Sequence, residues 1–156
     1  ANLRCVNFNE SDLITCFSND YGFEHWVEKT IDFYGDEGDT LIVISSSGSS
    51  KNMLNGVKAA WSGNFGSVIT LSGFSKENPL NQLGDVNLWA NSNAYNFVEN
   101  IHQIWLLAIV DLVIGKREYS AWWIILIYHS KYIIKKVLII GSVVYFRGVI
   151  APHILE

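Results

Sequence analysis

Short apolar runs alternate with helical stripes along the first two thirds of this chain. Residues 3–8, 40–44, 67–72 and 86–90 are brief, rich in Val, Ile and Leu, and lack strict in/out alternation. Strands covered on both faces read this way. Between the first two runs, Phe23, Trp26, Val27, Ile31 and Tyr34 recur at helical spacing, and Gly35 stands where a helix C-cap is expected. Between the next two, Met53, Leu54, Val57, Ala60 and Trp61 form an apolar stripe that leaves Lys51, Asn55 and Lys58 outside it. A last helix is predicted from about Tyr95 to Ile114; it is apolar on nearly every side after Gln103 and is expected to be buried. Alternation with short connections predicts right-handed crossovers and a parallel sheet between helical layers, an α/β three-layer sandwich. Ligands of such sheets bind beyond the carboxyl ends of the strands.

Composition narrows the class. The chain has 156 residues, 49% of them hydrophobic, with a net charge of -4. That supports one domain with a real core and argues against electrostatic binding of nucleic acid. Cys5 and Cys16 fit neither a disulfide framework nor metal-ligand spacing, so a reducing cytoplasm is the expected setting. No signal peptide is visible at the start. Asp111 interrupts one long apolar stretch, and Lys131, Lys135 and Lys136 the other, before either reaches the roughly 18–20 uncharged residues of a membrane span. The expectation is a soluble protein with no membrane partner.

Candidate chemistry concentrates at one strand exit. Ser45, Ser46, Ser47, Ser49 and Ser50 surround Gly48 immediately before the second helical stripe. A loop leading into a helix N-terminus offers unpaired N–H groups and the positive end of the helix dipole, and both attract phosphate. The hydroxyls add donors, and Gly48 permits a tight turn. Lysine is absent from the loop proper, and the spacing is not that of a nucleotide P-loop. Helix capping by Ser49 or Ser50 would explain one serine of the five.

The stretch "ISSSGSSKNMLNGVKAA" followed by "SVITLSGF" resembles the sugar isomerase (SIS) domain, and "NDYGFEHWVEKTIDFYGDEGDTLIVIS" is similar to its phosphoheptose isomerase branch. The resemblance covers about residues 2–121. It implies a flavodoxin-like parallel sheet, a homotetramer with active sites shared between subunits, and a phosphorylated sugar as ligand. It also implies interconversion of sedoheptulose 7-phosphate and a mannoheptose 7-phosphate, which supplies heptose to bacterial lipopolysaccharide and other surface polysaccharides. Ser45, Ser46, Ser47 and Ser50 match the phosphate-binding serines of the family. Asn19 and Asp20 match an Asn-Asp pair that touches substrate; read from composition alone, they form a loop or Asx-turn ahead of Tyr21 and Gly22.

The catalytic groups match less well. Isomerisation through an enediol needs a base for the carbon-bound proton and an acid for the oxygen-bound one. The resemblance assigns these to a glutamate beside a Gly-Asn-Gly-Gly-Ser turn, which this sequence does not contain, and to a histidine whose place is taken by Leu107. The domain over residues 1–121 is therefore expected to be truncated at its N-terminus. Glu99 stands where the family has a glutamine, and His102 matches an earlier family histidine. The two lie three apart, beside Gln103 on one helix face, and are the weak catalytic candidates. Their bland reading is a carboxylate favourable to the helix dipole and a polar residue on an exposed face. Members of the family can bind zinc, but the ligands for it are not present here, and no cofactor is evident. Two other readings stay open. One is a SIS module that binds a sugar phosphate or scaffolds a partner without catalysis; the other is an isomerase of another phosphosugar.

After Ser120 and Ala121 the pattern changes. "KKVLIIGSVVYFRGVIAPHILE" resembles the opening strand, turn and helix of an NAD-dependent epimerase/dehydratase, with Gly141 at the first glycine but Val144 and Arg147 at the other two. Side chains there obstruct the backbone approach to a pyrophosphate, which argues against dinucleotide binding. Residues 122–156 are expected to be an atypical tail joined by fusion or read-through.

Overall fold

The computed structural model describes residues 4–115 and two further strands, Val137–Ile140 and Val143–Phe146. These fall into two compact units, residues 2–102 and, with Ala1, residues 103–156.

The first unit opens with residues 4–10 in irregular, mostly exposed chain. The strand expected over residues 3–8 does not form in its described part, because no neighbouring strand takes up its backbone groups. Helix α1 (Ser11–Tyr21) follows, then a 3-10 turn at Phe23–His25 and helix α2 (Trp26–Tyr34). α1 was not expected, although Leu13, Ile14, Phe17 and Tyr21 fall at helical spacing; of these only Phe17 is fully buried, with Leu13 and Ile14 packed beside it. Gly35 does end α2, donating its amide to the Ile31 carbonyl at 2.9 Å. Strand β1 (Thr40–Ser45), helix α3 (Lys51–Ser62) and strand β2 (Ser67–Ser72) follow, then a 3-10 turn at Pro79–Gln82 and strand β3 (Val86–Trp89). The sheet is parallel in the order β1-β2-β3, with Val43 beside Thr70 and Thr70 beside Asn87.

Helices α2 and α3 cover the Val43 face. Trp26, Val27 and Ile31 meet Val57 and Ala60 over Val43 and Val68, forming the core. Gly56 lets the two helices approach, since a Cβ there would strike the Val27 side chain. On the opposite face of β1, Ile42 and Ile44 are exposed, so at this strand only one face is covered among the described residues. Of the tryptophans in the two helical stripes, Trp26 is buried, while Trp61 stays at the surface and donates Nε1 to the Leu83 carbonyl.

Helix α4 (Tyr95–Ile114) begins in this unit, where Val98 and His102 are buried. Its remainder belongs to the second unit and is not buried as expected: Leu107, Val110, Val113 and above all Leu112, 80% accessible, are exposed. By length and composition alone α4 is apolar enough to cross a membrane. Its first two turns are fastened to the sheet through Val98 and His102. Val137–Ile140 (β4) and Val143–Phe146 (β5) form an antiparallel pair, with Ile140 opposite Val143. The epimerase resemblance implied a helix after the first strand, and β5 is a strand instead. Gly141, Arg147, the boundary at residues 121–122 and the rest of the tail lie outside the described residues.

Candidate functional site

β1 ends at Ser45, and the chain turns through Ser46, Ser47, Gly48 and Ser49 into α3. Gly48 adopts φ +64°, a left-handed conformation that glycine reaches without strain. Its amide returns to the Ser45 carbonyl at 3.0 Å, and its own carbonyl accepts the Leu80 amide at 3.0 Å. The turn is pressed against Asn78, whose side chain a Cβ on Gly48 would strike. Asn78 is itself fixed: Nδ2 donates to Ser72 Oγ, the Gly73 carbonyl and the Ser75 carbonyl, while Oδ1 accepts the Asn81 amide at 2.9 Å. This buried amide is the mould for the serine loop. Sequence reading missed it because the contact joins residues 30 positions apart in a segment with no motif of its own.

Ser50 occupies the N-cap position of α3, yet its side chain makes no capping bond. It accepts instead from Ser45 Oγ at 3.3 Å, while Ser47 Oγ accepts the Ser49 amide and hydroxyl at 3.3 and 3.1 Å. The first N–H groups of a helix have no intrahelical partner. The Gly48, Ser49 and Met53 amides are already bonded within the protein, so an anion here would meet the remaining N–H groups of the turn and of the first turn of α3. Ser45, Ser46, Ser47 and Ser50 all line an open cleft of about 700 Å³, with Gly22, Phe23 and Glu24 among the other lining residues. Lys51, set apart above as lying outside the apolar stripe, also lines it, its Nζ 3.6 Å from Glu24 Oε2. Asn52 and Tyr95 complete the polar lining and were not singled out from sequence.

The other candidates lie elsewhere. Asn19 and Asp20 sit in the last turn of α1, not in a loop, with Asn19 Nδ2 donating to Asp20 Oδ1 at 3.0 Å. Both are exposed, and neither lines the cleft. His102 is only 3% accessible rather than on an exposed face; its Nε2 donates to the Ser72 carbonyl at 3.0 Å. Burial pushes its pKa below 6.5, outweighing the upward pull of that hydrogen bond and of the Glu99 charge. Glu99 is exposed, and neither residue borders the cleft. Among the described residues no group of three or more His, Cys, Asp or Glu side chains is placed to hold a metal ion.

A parallel β1-β2-β3 sheet with a serine turn at the end of β1 can be set against known folds. The structure matches that of a phosphoheptose isomerase from Francisella tularensis with a TM-score of 0.64 and 28% identity, over 70% of this chain and 58% of that one. The fold is that of phosphoheptose isomerases. The Neisseria gonorrhoeae phosphoheptose isomerase matches with a TM-score of 0.61 and 29% identity, over 69% of this chain and 59% of that one. In sequence, the phosphoheptose isomerase of Hamiltonella defensa is 32% identical over 105 residues, 67% of this chain and 50% of that protein. That of Fusobacterium nucleatum is 43% identical over 58 residues, 37% of this chain and 30% of that protein. No family model matches the chain. The chain spans about half the length of the longer-matching curated phosphoheptose isomerases, 50% to 54%.

Proposed function

We propose that this chain carries the phosphosugar-binding part of a phosphoheptose isomerase domain, with the serine loop holding the phosphate of a heptose 7-phosphate. The observation that carries the reading is a hydroxyl-rich turn at the carboxyl end of a parallel strand, opening on a cleft at the N-terminus of α3. Ser45, Ser46, Ser47 and Ser50 would supply donors, and Lys51 a positive charge at the rim. By the resemblance of its sequence, we place the chain in cytoplasmic heptose supply for lipopolysaccharide. The exposed apolar side of α4 supports assembly with further copies, a homotetramer by resemblance. Asn19 and Asp20 would meet substrate only if supplied to a site beyond this cleft.

A second reading, binding without isomerisation, is favoured by the placement of His102. A neutral imidazole tied to the Ser72 carbonyl, away from the cleft, is poorly placed to move a substrate proton. Isothermal titration of the chain with sedoheptulose 7-phosphate, against Ser47→Ala and Ser50→Ala, tests the common core of both readings. Each substitution is expected to weaken binding by roughly tenfold, since hydrogen bonds to a charged acceptor are among the stronger ones. Unchanged affinity in both variants sinks the assignment.

A further inference from the structure

Asn52, in the first turn of α3, is 7% accessible, yet it lines the cleft. Its Oδ1 accepts the Met53 amide at 3.0 Å. The Met53 amide also donates to the Ser50 carbonyl at 3.1 Å, and because an NH2 group turned toward that N–H would set donor against donor, the side-chain oxygen faces Met53 and Nδ2 forms the other arm. Among the described residues no protein group accepts from Nδ2. Nδ2 is not sealed from solvent, so it opens on the cleft, where a ligand oxygen can accept from it. The first turn of α3 favours an anion there, and four serines converge on the same cleft.

We propose that Asn52 contacts the ligand directly, donating from Nδ2 to a phosphate oxygen of the bound phosphosugar; this rests on the reading of the cleft given above. Its nearness in sequence to Ser50 and Lys51 puts a neutral donor beside the hydroxyls and the cation. Phosphate can then be held by groups of different reach.

The test is isothermal titration of the full chain with inorganic phosphate and with sedoheptulose 7-phosphate, comparing wild type, Asn52→Asp and Asn52→Ala. Asn52→Asp keeps the acceptor for the Met53 amide and replaces only the donor, with a negative charge. It should weaken both probes by about tenfold or more, and Asn52→Ala by about three- to tenfold. The Asn52→Asp penalty should grow as pH rises through about 6, where a phosphate monoester becomes dianionic; a purely structural role would not follow ligand charge. Wild-type affinity in either folded variant overturns the proposal while leaving the serine loop in place, and so does failure of both variants to fold. If the wild type binds neither probe, the cleft reading fails and this inference with it.

Discussion

Gly48 and Asn78 show how much of the site rests on single residues. At Gly48 a side chain meets two penalties, the left-handed φ of +64° and collision with the Asn78 amide. Gly48→Ala is therefore expected to destabilise the domain by about 1–3 kcal/mol and to weaken phosphosugar binding, measured by urea unfolding and titration. Asn78→Ala removes the obstacle but also four hydrogen bonds of a buried amide. Combining the two should cost less than the sum, because only the backbone penalty at Gly48 then remains. A strictly additive cycle would show that Asn78 does not shape the loop.

At the scale of elements, a hydrogen bond from His102 helps fasten α4 to the sheet. His102 donates to the carboxyl-terminal residue of β2, whose carbonyl also accepts the Ala90 amide. Burial lowers the His102 pKa from 6.5, so below that pH the unfolded chain binds a proton that the folded chain refuses. The contribution to stability is complete above about pH 6.5 and is lost as pH falls from there to the lowered pKa of the folded state. Thermal unfolding between pH 7.5 and about 5 should show this acid limb, and His102→Gln should flatten it while lowering stability throughout. An identical limb in the variant would assign the titration to another group.

For the whole molecule, two expectations concern activity and assembly. The chain alone is expected not to isomerise sedoheptulose 7-phosphate. Leu107 stands where the resemblance places a histidine, and His102 is kept away from the cleft. A positioned acid or base group is worth about 10²–10⁴ in rate, so its loss leaves mainly binding. A coupled assay of heptose 7-phosphate formation checks this; robust turnover abolished by His102→Ala would return the catalytic role to that residue. The chain is also expected to associate, because Leu107, Val110, Leu112 and Val113 form an exposed apolar stretch on α4. Sedimentation equilibrium showing a well-folded monomer at micromolar concentration would refute association.

The sequence by itself determined the parallel α/β character, β1, α3, β2 and β3, and the serine turn between β1 and α3. Those features arise from local periodicity and from a run of serines and glycine that lies contiguous along the chain. Only the tertiary structure decided the rest. Asn19 and Asp20 became helical because α1 packs on the core through Phe17, with the half-buried Leu13 and Ile14 beside it. His102 went inside because the Ser72 carbonyl offered its ring nitrogen an acceptor, a pairing across 30 residues that no spacing rule reveals. Asn78 and Asn52 entered the site for the same reason: a polar side chain acquires its role from the distant backbone and open space that folding brings beside it.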